Sequence, residues 1–404
     1  MRIRLFCTTL QNRRVYFVVG VKTAMKRYCE PFIYQDLTKK MVFIGGPRQV
    51  GKTILSKQLC HDQFSNGIYL NWDNDDDRQA ILKKQWLATS PLIIFDELHK
   101  YPHWKRWIKG IYDTKPKHQQ YLVTGSARLD VYRRGGDSLM GRYHYWRLHP
   151  LTLDELPSGL SREEGYQRLL TLGGFPEPFL TNNEREAARW RKERFDRILK
   201  EDVRDLESIR NIQLLSLFVE ALRERTGGMI TLSNLAHDLE ISPKTAKTWL
   251  SLIERMYIAF PIYPYTKNIP RAILKPPKVY FYDNGDVTPD IGARLENLVA
   301  TTLLKRLHFI EDYHGHRCSL HYIRDKDGRE VDFVTVINNQ VVDLIEVKNG
   351  DSTISSHLKY YSQKLKPKNT VQIVATLKRA YHQDGILVTN PIDYFKNPPW
   401  ESIS

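Results

Sequence analysis

Gly46-Pro47-Arg48-Gln49-Val50-Gly51-Lys52-Thr53 satisfies G-x-x-x-x-G-K-[ST] at every position. An apolar run, Met41–Ile44, precedes it and an amphipathic run, Ile54–Leu59, follows, the strand-and-helix setting this motif needs. Its glycines let backbone N–H groups wrap phosphates, and the positive end of the following helix adds to the attraction. Lys52 reaches the β- and γ-phosphates, and the Thr53 hydroxyl ligates magnesium. The cofactors expected are therefore ATP and Mg2+, held by all eight residues from Gly46 to Thr53. Downstream, Leu92-Ile93-Ile94-Phe95 leads directly into Asp96-Glu97. A buried strand that ends in acids delivers them to the edge of an α/β sheet where ligands bind. Asp96 is expected to hold the metal through water. Glu97 is expected to orient or deprotonate the attacking water, the step that separates hydrolysis from binding. A third apolar run, Tyr121–Val123, ends in Thr124-Gly125-Ser126. Thr124 or Ser126 is placed to sense the γ-phosphate, though Thr-Gly-Ser is also ordinary turn chemistry.

A second constellation lies near the carboxyl end. Val331–Ile337 alternates as a strand, Asn338-Asn339-Gln340 reads as a turn, and Val341–Lys348 returns. Register decides whether this is a site. A three-residue loop pairs Ile337 with Val341 and brings Asp332 opposite Glu346, with Lys348 on the same face. A two-residue Asn-Asn turn inverts one strand and parts them. The first register is the expectation. Two carboxylates side by side favour a divalent cation. Asp…Glu-x-Lys on a hairpin resembles the metal site of the restriction-endonuclease-like nuclease fold. That resemblance implies Asp332 and Glu346 as metal ligands, Lys348 as an activator of the attacking water, and Glu296, on a helix over Ala293–Leu307, as a further carboxylate. An inert relative of that fold with a Glu–Lys surface pair is the alternative. His314, His316, Cys318 and His321 lie close together but read as a loop rather than a zinc site.

These residues need a scaffold. Apolar runs at Met41–Ile44, Ile68–Leu70, Leu92–Phe95 and Tyr121–Val123 alternate with helical stretches, the pattern of a parallel sheet with helices on both faces. Residues 157–226 read as a helical lid and connector, broken at Gly173-Gly174-Phe175-Pro176-Glu177-Pro178. The charge-rich stretch Glu184–Arg210 reads as a solvated helix. Residues 227–275 hold a helix, a turn and a helix. Ser242 is the N-cap and Pro243 the first position of the second helix. Ala246, Trp249, Leu250 and Ile253 form its buried stripe. Lys244, Thr245, Lys247, Thr248 and Ser251 form its outer face, a surface for DNA or for packing. The domains expected are thus a lead-in over 1–40 (with 1–24 a candidate upstream extension and Met25 a candidate start), an ATPase core over 41–156, the connector, the winged-helix-like module, and an α+β domain over 276–404.

Strand, phosphate loop, Asp-Glu strand and polar-ended strand in this order resemble an AAA-type ATPase core. That resemblance implies an arginine finger soon after the polar-ended strand. Arg142 occupies that place and would act on a neighbouring subunit's nucleotide in a homo-oligomer whose ATP sites lie near subunit interfaces. A surface salt bridge is the other reading of Arg142. The wider order, with Phe95-Asp96-Glu97-Leu98, Gly173–Pro178, Gly328-Arg329-Glu330-Val331-Asp332-Phe333-Val334 and Ile345-Glu346-Val347-Lys348, resembles prokaryotic AAA-type ATPases that carry a C-terminal domain of unknown function. It covers roughly residues 25–390.

The 404-residue chain carries a net charge of +15, distributed unevenly. Lys100–Pro150 holds eleven Lys or Arg against three acids, and Ser352–Gln383 holds six against none. Fields of this sign attract polyanions, and DNA is the partner expected. Cys7, Cys29, Cys60 and Cys318 are scattered and lack metal spacing, as for free thiols in a cytoplasm. No apolar run approaches the ~20 residues needed to span a bilayer, so no membrane role is expected. The function expected is ATP hydrolysis coupled to DNA processing. A regulatory ATPase switch with inert binding modules is the alternative.

Overall fold

Strands apolar on both faces are stable only when helices cover both sides, and the first part of the chain is built that way. A computed structural model describes residues 5–10, 13–18, 25–125, 139–203, 211–266, 275–288 and 290–396. β1 (Leu5–Leu10) and β2 (Arg13–Val18) form an antiparallel pair of their own. β3 (Met41–Gly45), β4 (Ile68–Asn71), β5 (Leu92–Asp96), β6 (Gln120–Thr124) and β7 (Tyr143–Arg147) form a parallel sheet in the order β4-β5-β6-β3-β7. Met41, Phe43, Ile93, Phe95, Tyr121 and Val123 face the core shared with α3 (Asp75–Leu82) and α4 (Trp104–Asp113). Side chains alternate along a strand, so Val42, Ile44, Ile94 and Leu122 point to the other side. α1 (Glu30–Leu37) and α2 (Lys52–Gln63) pack on β3 and β6. The edge strand β7 is tied to α1 by Trp146 Nε1, which donates to Asp36 at 2.9 Å.

The chain forms two compact units, Met1–His149 with Pro157–Gly159, and Pro150–Leu156 with Leu160–Ser404. In the second, α5 (Arg162–Thr171), α6 (Pro176–Thr181), α7 (Glu184–Arg197) and α8 (Ile212–Arg223) come first. The segment expected as a break at 173–178 is half helix, because Pro176 stands at the first position of α6, where its missing N–H costs nothing. The solvated helix expected from Glu184 buries Arg194, whose guanidinium lies 4.1 Å over the Phe175 ring. α9 (Leu232–Asp238) and α10 (Pro243–Arg255) make the helix pair. Ser242 Oγ accepts from Thr245 N–H at 3.0 Å, and Ala246, Trp249, Leu250 and Ile253 are buried.

The strands that follow do not stay with that pair. β8 (Ala259–Pro264) and β9 (Lys278–Phe281) join β10 (Cys318–Arg324), β11 (Glu330–Ile337), β12 (Gln340–Lys348), β13 (Asn369–Val374), β14 (Tyr381–Gln383) and β15 (Ile386–Thr389) in one sheet, ordered β14-β15-β13-β12-β11-β10-β8-β9. The boundary expected at 275/276 thus falls inside a sheet. α11 (Ile291–Phe309) and α12 (Ser356–Leu365) pack on that sheet, and α13 (Pro391–Lys396) contacts β13. The loop expected around Cys318 and His321 is β10, and His321 hydrogen-bonds Tyr263 O of the neighbouring strand at 3.1 Å.

Pro150–Leu156 is secured to the second unit by a buried charge. Lys305 on α11 pairs with the Glu155 carboxylate and donates to Thr152 Oγ1 at 2.8 Å and Pro150 O at 3.3 Å. Both charged residues are 2% exposed. Glu155→Ala strands the ammonium among neutral acceptors and is expected to cost about 3–5 kcal/mol by chemical denaturation. Replacing both residues with Met is expected to recover most of that loss. A loss below about 1 kcal/mol for Glu155→Ala would show that the pair does not hold the segment.

Candidate functional site

The phosphate loop leaves β3 at Gly45 and turns on two left-handed glycines, Gly46 at φ 129° and Gly51 at φ 100°. A Cβ on Gly46 would stand 2.4 Å from the Leu148 carbonyl oxygen, so bare backbone is required there. Gly51 precedes α2 and offers no side-chain cap, leaving the positive helix end to the loop. Lys52 folds back over the loop, donating to Pro47 O at 2.6 Å and Gly46 O at 3.0 Å. Val50 O accepts from Arg27 at 3.0 Å, and Arg27 also donates to His149 O. The lead-in segment therefore braces the loop. Arg48 and Gln49 complete it, with Gln49 in the left-handed region at φ 63°.

Asp96 ends β5 and accepts three hydroxyls. Thr53 Oγ1 donates to Oδ2 at 2.8 Å and Tyr69 to the same oxygen at 2.5 Å, while Thr124 donates to Oδ1. Thr124, read from the sequence as a sensor, is thus bonded to Asp96, and Ser126 lies outside the described residues. Tyr69 was not read as a site residue. Its signal is the register: β4 runs beside β5, with Asn71 opposite Asp96 and a phenol two residues earlier. Burial, then the Asp96 charge, pushes the Tyr69 phenol far above its usual value, so it stays a donor.

Glu97 follows in the left-handed region, at φ 58°. Its N–H donates to Thr124 O at 3.0 Å, which fixes the turn. Its carboxylate lies 3.5 Å from Lys100 Nζ and 3.6 Å from His99 Nε2. Burial raises the Glu97 pKa, with Lys100 opposing, the direction that suits a base near neutrality. Arg142 makes a two-pronged pair with Asp113, at 2.7 and 3.2 Å. It precedes β7 at the amino end of the sheet, where Tyr143 pairs with Met41. The phosphate loop leaves the other end, a five-residue strand of roughly 16 Å away. Action on its own chain's nucleotide is therefore out of reach, and a finger role needs a second subunit.

In the second unit, the hairpin turn is the two-residue Asn338-Asn339 form, with φ 49° and 66° and Ile337 opposite Gln340. A bulge between Thr335 and Val336 then shifts the register by one, pairing Thr335 with Asp343 and Phe333 with Ile345. Continued one residue, that register sets Asp332 across from Glu346. The expected loop length is corrected, yet the expected pairing is kept, because the extra residue on β12 undoes the inversion.

The metal site expected there is not gathered. Among the described residues no group of three or more His, Cys, Asp or Glu side chains is arranged to hold a metal ion. Glu296 accepts from Tyr280 at 2.6 Å, Asp332 Oδ2 accepts from Val347 N–H at 2.8 Å, and Glu346 pairs with Lys348 at 2.8 Å. Between them lies an unforeseen residue, Lys278 on β9. Its Nζ is 2.7 Å from Glu330, 3.4 Å from Glu296 and 3.6 Å from Asp332. The lysine thus pairs with two of the three carboxylates expected to hold a metal, Glu296 and Asp332, while Glu346 pairs with Lys348.

Acid groups outnumber cations here. Glu296, Glu330, Asp332 and Glu346 share Lys278, Lys348 and Arg324, with Tyr280 and Asp351 alongside. Burial, then the Asp332 charge, pushes Glu296 and Glu346 each up to about 7. A raised carboxyl pKa means the folded state binds the extra proton. Its contribution is complete below the unfolded value, about 4.3, and is lost as pH rises through 7. Glu346→Gln cannot ionise, so it is expected to exceed wild type in melting temperature at pH 8, with the gap closing by pH 5. A gap that is constant with pH, or reversed, would contradict this.

A glycine-rich phosphate loop joined to an Asp-Glu strand end, on a parallel α/β sheet, defines a P-loop nucleotide-binding domain. Residues 38–157 match the model described as "AAA domain". Residues 291–394 match "Domain of unknown function (DUF4143)", and residues 163–288 match a further domain of unknown function, DUF8612. An uncharacterised protein of Mycobacterium tuberculosis is 25% identical over 251 residues, which is 61% of this chain and 54% of that one. The chain thus spans about half the length of that relative. An uncharacterised protein of Methanocaldococcus jannaschii is 24% identical over 366 residues, 82% of this chain and 80% of its own. Among solved structures, the Aeropyrum pernix Orc1 protein in complex with DNA is similar at TM-score 0.32 and 12% identity, covering 70% of this chain and 94% of that one. The Thermotoga maritima RuvB Holliday junction branch migration motor is similar at TM-score 0.28 and 15% identity, covering 59% and 87%. Likenesses this distant carry no argument about activity.

Proposed function

We propose that this chain is a magnesium-dependent ATPase that couples hydrolysis to holding DNA. The observation that carries the first half is Asp96, tied directly to the Thr53 hydroxyl at 2.8 Å and followed at once by Glu97. The residues fit the cofactor. Gly46 and Gly51 keep the loop bare, Lys52 lies over it, and Thr53 and Asp96 present the two oxygens that would hold the ion. Bound magnesium would draw charge from the β- and γ-phosphates. Lys52 exchanges its carbonyl partners for phosphate oxygens. Glu97 takes a proton from water as the water oxygen bonds to the γ-phosphorus and the bridging oxygen leaves with ADP.

DNA is the polyanion that the second unit suits best. Lys244, Lys247, Thr248 and Ser251 are exposed on α10. Lys359, Lys364, Lys366, Lys368, Lys378 and Arg379 are exposed beyond the hairpin, beside an exposed Tyr360. Cationic surface with an aromatic ring suits phosphate contact and base stacking. The Lys278-centred cluster favours gripping over cutting, which leans towards the binding-module reading of the C-terminal domain. Assembly as a homo-oligomer with Arg142 serving a neighbour's site, and residence in a cytoplasm, belong to the same proposal. Among the described residues no helix is long and apolar enough to cross a membrane.

Lys52→Ala is expected to abolish turnover. Glu97→Gln is expected to keep ATP bound while slowing phosphate release about 100-fold or more. Normal turnover by Glu97→Gln would remove the base assignment. In fluorescence anisotropy, wild type is expected to bind DNA with an affinity that falls steeply with salt, and a Lys359/Lys364/Lys366→Glu triple variant to bind at least about 10-fold more weakly. No binding at low salt would sink the DNA half and leave the ATPase half standing.

A further inference from the structure

We propose that Lys278 is a built-in cation: its ammonium takes the position of a divalent ion among the Glu296, Glu330 and Asp332 carboxylates, and removing it opens a divalent-cation site.

The three acids come from two elements. Glu296 stands on α11, and Glu330 and Asp332 on β11, with the lysine on β9. The Lys278 side chain is 5% exposed and reaches them at 3.4, 2.7 and 3.6 Å. These are ammonium distances, and an ion bound by the same oxygens would sit at about 2.0–2.6 Å from each. The two cations cannot share one cage, because like charges a few ångströms apart in a partly buried site repel. The backbone that carries the lysine is held in the sheet opposite Ile262 and bridges to Met229. Its position is further set by the Tyr322 ring, 5.7 Å away.

The oxygens are arranged around that ammonium. Arg324 holds the second oxygen of Glu330 at 2.7 Å, and the Tyr280 hydroxyl holds Glu296 at 2.6 Å. Opposite, Lys348 answers Glu346 at 2.8 Å. Buried carboxylates are tolerated only when paired or coordinated, and here lysines supply the pairing. The hairpin is therefore held together independently of metal, whatever nucleotide or nucleic acid the chain binds.

The test is calorimetric titration of the nucleotide-free full chain with Mn2+, with thermal melting alongside. Ions at Thr53 and Asp96 are common to all variants, so differences isolate the C-terminal cluster. Wild type and Asp332→Asn are expected to titrate identically. Lys278→Met is expected to take up about one further Mn2+ per chain and to gain about 3 °C in melting temperature from it. The double variant Lys278→Met/Asp332→Asn is expected to lose both gains. A wild-type Mn2+ site that Asp332→Asn lacks overturns the proposal, as does a folded Lys278→Met that gains no ion. If Lys278→Met folds only when Mn2+ is added, the ion has replaced the ammonium and the proposal stands. If it does not fold at all, the wild-type and Asp332→Asn comparison decides.

Discussion

The Asp96 carboxylate is the point on which the nucleotide domain turns. It ends an inner strand of a parallel sheet and receives hydroxyls from the phosphate-loop helix, from β4 and from β6. Hydrogen bonds to a charged acceptor contribute about 1.5–3 kcal/mol each, so the side chain that would face the metal also binds the strands together. Strand order makes this work. With β5 between β4 and β6, and β3 beyond β6, one carboxylate at the strand end can meet all three partners. The left-handed turn at Glu97 follows from the same arrangement, since its N–H must reach Thr124 O while its carboxylate swings past Asp96.

The second unit is organised by paired charge as much as by apolar packing. Lys305 with Glu155, Arg191 with Asp283 at 3.2 Å and Arg223 with Asp286 at 3.0 Å sit at buried or nearly buried positions, and Lys278 is buried against three partly exposed acids. Each pair loses solvation and regains it only in one geometry. Such pairs fix where segments lie. Pro150–Leu156 is held by Lys305, and β9 is held beside α11 by Lys278. A domain fixed this way keeps its shape without a ligand.

The strand, loop and helix around Gly46–Thr53 and the strand that ends at Asp96 were legible, because each is a local pattern with a local cause. Tyr69 and Lys278 were not readable, since each matters only through a partner on another strand, and a single tyrosine or lysine in a buried strand has no periodic signature. The C-terminal hairpin shows a subtler failure. Turn chemistry at Asn338-Asn339 pointed to one register and the carboxylate pairing to another, and both hold because a bulge lies between them. The boundary expected at 275/276 falls between two strands of one sheet, because β8 pairs with β9 on one side and with β10, over fifty residues on, on the other.

In the proposed function, the Asp96-Glu97 strand end makes the phosphate loop hydrolytic rather than merely binding. Single-turnover assay of γ-labelled ATP with excess full-length chain, with and without Mg2+, tests it most directly. Complete release of labelled phosphate is expected with magnesium and none without it. ATP that remains bound and intact in the presence of magnesium would contradict it.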